Sequence, residues 1–130
     1  MLVDLYRIAD QNGIDIEYLA LPETESLAIE EDRRCYIGID LHLRGREERV
    51  HLAHELGHCV FGGFYNRYSN ADIREKAERR ADKWAFKKLC PIEMIKKARG
   101  FEPWELADFF GVTDDFMYRA LEFYKDAGVL

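Results

Sequence analysis

The chain has 130 residues, 48% of them hydrophobic, and a net charge of −6. That length suits one domain over residues 1–130 around a single core, and the acidic balance excludes a nonspecific electrostatic grip on nucleic acid. No apolar run approaches the roughly 20 residues needed to cross a membrane, and the opening Met1-Leu2-Val3-Asp4-Leu5 lacks the basic start and apolar stretch of a secretion signal.

Leu2, Leu5, Ile8 and Ala9 recur at helical spacing, which predicts a helix over 2–11 that Asn12-Gly13 ends. Ile14, Ile16, Tyr18 and Ala20 alternate with Asp15, Glu17 and Leu19, the period of a strand. Leu21-Pro22-Glu23-Thr24-Glu25 reads as a loop. Ser26–Glu30 and Arg34–Ile39 read as two strands joined by a tight turn at Glu31-Asp32-Arg33. The stretch Tyr36–Ile39 is expected to offer a strand with which an extended peptide could pair. Asp40 to Gly45 leads into a helix from about Arg46 to Phe61, with Val50, Ala53, Leu56 and Val60 on one side and Gly62-Gly63 as its stop. A Gly-, Asn-, Ser- and Tyr-rich loop follows, and then a helix from Asp72 to about Phe86. Ala77, Ala81, Trp84, Ala85 and Leu89 form its apolar stripe. Three short helices are predicted after it, over 91–98, 102–110 and 114–126. Pro91 and Pro103 suit first turns, Thr113 an N-cap, and Gly100 and Gly111 breaks. The order is helix, small sheet, then helices, an α+β arrangement without repeats or a clear linker.

The chemistry concentrates in His54-Glu55-Leu56-Gly57-His58, a His-Glu-x-x-His motif. Residues four apart share one helix face, so His54 and His58 can address one metal ion. Glu55 sits one position round from them, beside the metal without ligating it, where it can take a proton from a water. A catalytic zinc site needs three protein ligands and an open fourth position. Glu78 on the next helix is the candidate third ligand, with Glu75, one turn earlier, as the competitor. Asp82, four residues after Glu78, would accept a hydrogen bond from the other ring nitrogen of His54 or His58 and fix its tautomer. Without the motif, Glu78 and Asp82 would read as surface charges. His51 lacks the four-residue relation to His54 and is expected to cover the site or face solvent. Cys59 points about 100° away from His58 and is not counted as a ligand.

Together these residues resemble the ImmA/IrrE family of metallopeptidases. Its members carry His-Glu-x-x-His, then Glu-x-x-Ala-[Asp/Asn]-x-[Phe/Trp]-Ala and a following Leu-x-Pro. Here those are His54–His58, Glu78–Ala85 and Leu89-Cys90-Pro91, and Phe110–Phe116 resembles the family's C-terminal portion. The resemblance runs from about Arg46 to Tyr124 and is weak before it. The chain departs from the pattern at Cys90, where a larger apolar residue is usual, and at Arg80 and Lys83, which make the ligand helix basic. Some longer members carry an N-terminal DNA-binding segment; this chain looks like the bare catalytic module.

The resemblance implies a zincin-like fold of the gluzincin type, with Zn²⁺ held by His54, His58 and Glu78 and backed by Asp82. It also implies a zinc-dependent endopeptidase of bacterial or mobile-element origin that switches off a helix-turn-helix repressor. The alternative is a zinc-binding antirepressor that sequesters the repressor without cutting it; the intact base Glu55 favours the enzyme. Candidates for a further oxyanion donor are Tyr65, Tyr68 and His42, none of which motif reasoning reaches. Residues 105–113 superficially resemble a helix-turn-helix, but the next helix begins Asp114-Asp115, which would repel phosphate. That pair is expected to be packing or a substrate-docking surface, with no direct nucleic-acid contact and no membrane contact. Three scattered cysteines, Cys35, Cys59 and Cys90, suit reduced thiols in a cytoplasmic protein.

Overall fold

A computed structural model describes residues 3–61, 64 and 68–130. The expected roles of Leu2, of the Gly62-Gly63 stop and of Tyr65 lie outside those residues. The order is α1 (Leu5–Gln11), β1 (Asp15–Leu19), β2 (Ser26–Glu31), β3 (Arg34–Asp40), α2 (Gly45–Phe61), α3 (Ala71–Leu89), α4 (Ile92–Lys97), α5 (Pro103–Phe110) and α6 (Asp114–Asp126). This is the expected α+β arrangement of one small sheet and packed helices.

Local chemistry sets most of the ends. Asp4, Asn70 and Thr113 cap α1, α3 and α6, each side chain accepting a bond from a first-turn backbone N–H. A reciprocal capping box between Glu102 and Glu105 opens α5 around Pro103. Gly111 closes that helix at φ +68°, a left-handed conformation that glycine adopts without steric penalty. Asp32 and Arg33 both have positive φ and form the two-residue turn between β2 and β3, of the hand that matches strand twist.

The sheet order is β1-β3-β2, with β1 parallel and β2 antiparallel to β3. The central strand is therefore β3, and both of its backbone edges are used. The expectation that Tyr36–Ile39 could pair with a substrate is corrected: alternation marks a strand but does not say what flanks it. The open edges belong to β1 and β2.

Helix α2 lies against β2, β3 and α3. Ile37 and Ile39 of β3 and Leu52 and Leu56 of α2 are almost completely buried, each contributing about 1.5–3 kcal/mol of apolar burial. The buried face of α2 is Leu52, Ala53 and Leu56; Val50 is half-buried, and Val60, expected on that side, is exposed. Helix α3 presents Ala77, Ala81 and Ala85, all buried, while Trp84 is only half-buried. Small residues let the two helices meet closely: a Cβ on Gly57 would lie 2.6 Å from the Ala81 carbonyl oxygen. Phe86 of α3 packs on Phe116 of α6, ring centroids 5.1 Å apart. The Tyr124 hydroxyl donates to the Cys90 carbonyl over 2.8 Å. These contacts fix α6 beside the ligand helices.

Cys35 and Cys59 form a disulfide across β3 and α2, with Cα atoms 5.8 Å apart. The expectation of three reduced thiols is corrected for this pair, because spacing along the chain does not report which segments the fold brings together. Cys90 is a free thiol, and burial pushes its pKa up to about 12.

Candidate metal centre and catalytic cleft

The structure brings the two motif histidines and Glu78 together. His54 and His58 stand one turn apart on α2 with rings near perpendicular, centroids 4.9 Å apart. Glu78 arrives from α3, its Oε2 2.7 Å from His54 Nε2 and 3.4 Å from His58 Nε2. One donor atom from each of the three lies within 4.8 Å of the other two. Ligands of a tetrahedral zinc bonded at 2.0–2.2 Å stand roughly 3.3 Å apart. Two imidazole nitrogens and one carboxylate are also a zinc-type donor set. The residues therefore fit a metal ion, and a modest opening of the His54–Glu78 contact would admit it.

Behind His54 stands Asp82. Its Oδ1 lies 2.8 Å from His54 Nδ1, and its Oδ2 accepts from Arg119 Nη2 of α6 over 2.7 Å. A carboxylate only accepts, so Nδ1 carries the hydrogen and Nε2 is turned toward Glu78. Burial acts to lower the His54 pKa, but the bonds to Asp82 and Glu78 and the charge of Glu55 outweigh it and raise the pKa to about 10. Metal entry must therefore displace a proton from this ring.

Glu55 and His58 are nearly buried, 6% and 7% exposed. Glu55 Oε2 accepts from Ser26 Oγ, the first residue of β2, over 2.7 Å. His51 stands outside the metal-ligand group and lines the cleft, as expected: its Nδ1 lies 3.0 Å from Ser26 Oγ and its Nε2 3.2 Å from Glu25 Oε2. Ser26, His51, His54, Glu55, Glu78 and Asp82 line one cleft of about 600 Å³ together with Thr113, Asp115, Phe116 and Arg119. The start of α6, read from sequence as packing or docking, is thus a wall of the cleft.

Other candidates fall elsewhere. Glu75 is largely exposed and lies 3.8 Å from Arg79, outside the metal-ligand group. The His42 side chain is 87% exposed beside Asp40, and Tyr68 is 80% exposed; neither lines the cleft. Ser26, Glu25 and Arg119 were not singled out by sequence reasoning. Each reaches the site from an element distant in the chain, and no motif spacing marks them. No helix among the described residues is long and apolar enough to cross a membrane.

A family model described as the IrrE N-terminal-like domain (Peptidase_M78) matches residues 9–122. No curated protein matches the chain. The matched span takes in all three strands, both helices of the metal-ligand group and most of α6. The fold is accordingly zincin-like and the function of metallopeptidase type. The whole frame of the cleft falls within one family pattern, and this chain belongs to the IrrE N-terminal-like family of metallopeptidases, as its resemblance to ImmA/IrrE proteins implies.

Proposed function

We propose that the chain is a zinc-dependent endopeptidase that cuts a helix-turn-helix transcriptional repressor. His54, His58 and Glu78 would hold the ion, and Asp82 would orient His54. Zinc held there would supply Lewis acidity to the water and the scissile carbonyl. Glu55 accepts the proton of the attacking water and returns it to the leaving nitrogen. As an open edge whose first residue lines the cleft, β2 offers backbone groups to an extended substrate.

The observation that carries this reading is the buried carboxylate of Glu55 between two histidines that share a donor cluster with Glu78. A module that only bound zinc would have no chemical need for a base there. The test is to mix zinc-loaded protein with the repressor encoded nearest to it and to read the products by mass spectrometry, with Glu55→Gln alongside. A defined cut absent from the variant supports the enzyme. No cut, with a stable complex formed equally by both forms, would replace it by the antirepressor.

A further inference from the structure

Glu25, His51 and Ser26 form a row of polar side chains that hydrolysis by Glu55 alone does not use. The row runs from Glu25 Oε2 to His51 Nε2 (3.2 Å), from His51 Nδ1 to Ser26 Oγ (3.0 Å), and from Ser26 Oγ to Glu55 Oε2 (2.7 Å). Donor and acceptor chemistry sets its direction. An ionised carboxylate only accepts, so the one hydroxyl hydrogen of Ser26 goes to Glu55. Ser26 Oγ must then accept from Nδ1–H of His51. At the far end the Glu25 carboxylate stands 3.2 Å from Nε2, within ion-pairing distance. The imidazole therefore stands between the Ser26 hydroxyl and the Glu25 carboxylate, with Nδ1 as the donor to Ser26.

The backbone adds an independent observation. Glu25 has φ +64°, a left-handed conformation unfavourable for a residue with a Cβ. It is held there from both sides: its N–H donates to the Leu21 carbonyl over 2.9 Å, and Asp40 N–H donates to its carbonyl over 2.8 Å. Glycine would meet the backbone requirement without strain, but it could not reach His51. Strain of this kind persists where surrounding structure enforces it, and it gathers at functional sites.

We propose that Glu25, His51 and Ser26 are positioning residues for the general base. The row ties down Oε2 of Glu55 and fixes the rotamer, which leaves Oε1 as the oxygen directed at the reacting water. Its task rests on the hydrolytic reading; its hydrogen-bond order does not. Loss of such an outer partner lowers activity about 10–100-fold.

The test uses the zinc-loaded full chain. Ser26→Ala is expected to lower kcat on the repressor about 10–100-fold while KM and bound zinc stay unchanged. Ser26→Thr, which keeps the hydroxyl, restores most of the rate. Glu25→Gly lowers kcat while the melting temperature holds or rises. Nitrogen NMR of the His51 ring gives a readout that needs no cleavage: Nδ1 carries hydrogen, Ser26→Ala moves the Nδ1 signal, and Glu25→Gly moves the Nε2 signal. The proposal is overturned if Ser26→Ala leaves kcat unchanged, if Glu25→Gly raises both stability and kcat, or if the His51 nitrogen signals are indifferent to both substitutions. A wild type that cuts nothing defeats the hydrolytic reading, and the nitrogen signals then decide the row by themselves.

Discussion

Gly57→Ala probes the frame of the site without touching any proposed ligand. The added Cβ would stand 2.6 Å from the Ala81 carbonyl oxygen and 2.8 Å from Ala81 Cα. Both are backbone atoms, so no side-chain rotation relieves the clash. Ordinary contact begins at 3.4 Å, and α3 must retreat by about 0.8 Å to reach it. Ala81 stands between Glu78 and Asp82, so the retreat carries both carboxylates away from the histidines. Helix propensity acts the other way and favours alanine by about 1 kcal/mol. Overpacking costs about 1–3 kcal/mol, which leaves a net loss of about 0–2 kcal/mol and a fold that survives. The site tolerates less: metal–ligand distances hold within about 0.2 Å, and a misplacement of about 1 Å can cost on the order of 100-fold in rate. Competition against a chromophoric zinc chelator, run beside a thermal melt, reads both quantities. Zinc affinity should fall by at least about tenfold, in the range seen when a site's supporting contacts are lost, while the melting temperature drops by a few degrees. A variant that keeps wild-type affinity would refute the claim that the Gly57–Ala81 contact sets the ligand geometry.

Glu78→Ala should lose most of its bound metal on dialysis and Glu75→Ala should keep it; metal analysis giving the reverse would move the third ligand to Glu75. Asp40 makes a pH-dependent contribution to stability. Backbone N–H bonds from Leu21 and then His42 hold its carboxyl below the ordinary 3.8 against the opposing effect of burial. A depressed folded pKa adds stability that is present at neutral pH and lost as pH falls through the folded value. Asp40→Asn should therefore destabilise the protein to urea near neutrality, with the gap narrowing in acid below the ordinary pKa; an equal loss at both ends would contradict the assignment. The disulfide closes a loop of 24 residues, so reduction should cost about 3 kcal/mol and roughly 10 °C in melting temperature. Identical melts with and without a dithiol would show that the Cys35–Cys59 bond does not constrain the unfolded chain.

What the sequence revealed, and what it did not, follows from the range of each signal. The motif and the alanine stripe of α3 are local patterns at helical spacing, and the structure places His54, His58 and Glu78 around one point with Asp82 behind His54. The Thr113 cap was legible for the same reason, since it bonds a residue three positions on. Strand order was not legible: alternation in Arg34–Ile39 is the same for an edge and a central strand. Cys35 shares the face of Ile37 and Ile39 by alternation, yet nothing before folding says that this face meets the end of α2. Ser26 and Arg119 meet their partners across 29 and 37 residues of chain, beyond the reach of any periodicity. Leu52 was passed over beside the motif, although the sheet side of α2 requires it.

Anomalous X-ray scattering at the zinc edge from crystals of the zinc-loaded protein tests the central claim most directly. One strong peak is expected, bonded by His54 Nε2, His58 Nε2 and the Glu78 carboxylate at about 2.0–2.2 Å, with no fourth protein ligand and with Glu55 beside the peak but not bonded to it. A peak elsewhere, a peak ligated by Glu75 or Glu55, or a coordination shell filled by four protein ligands would contradict it.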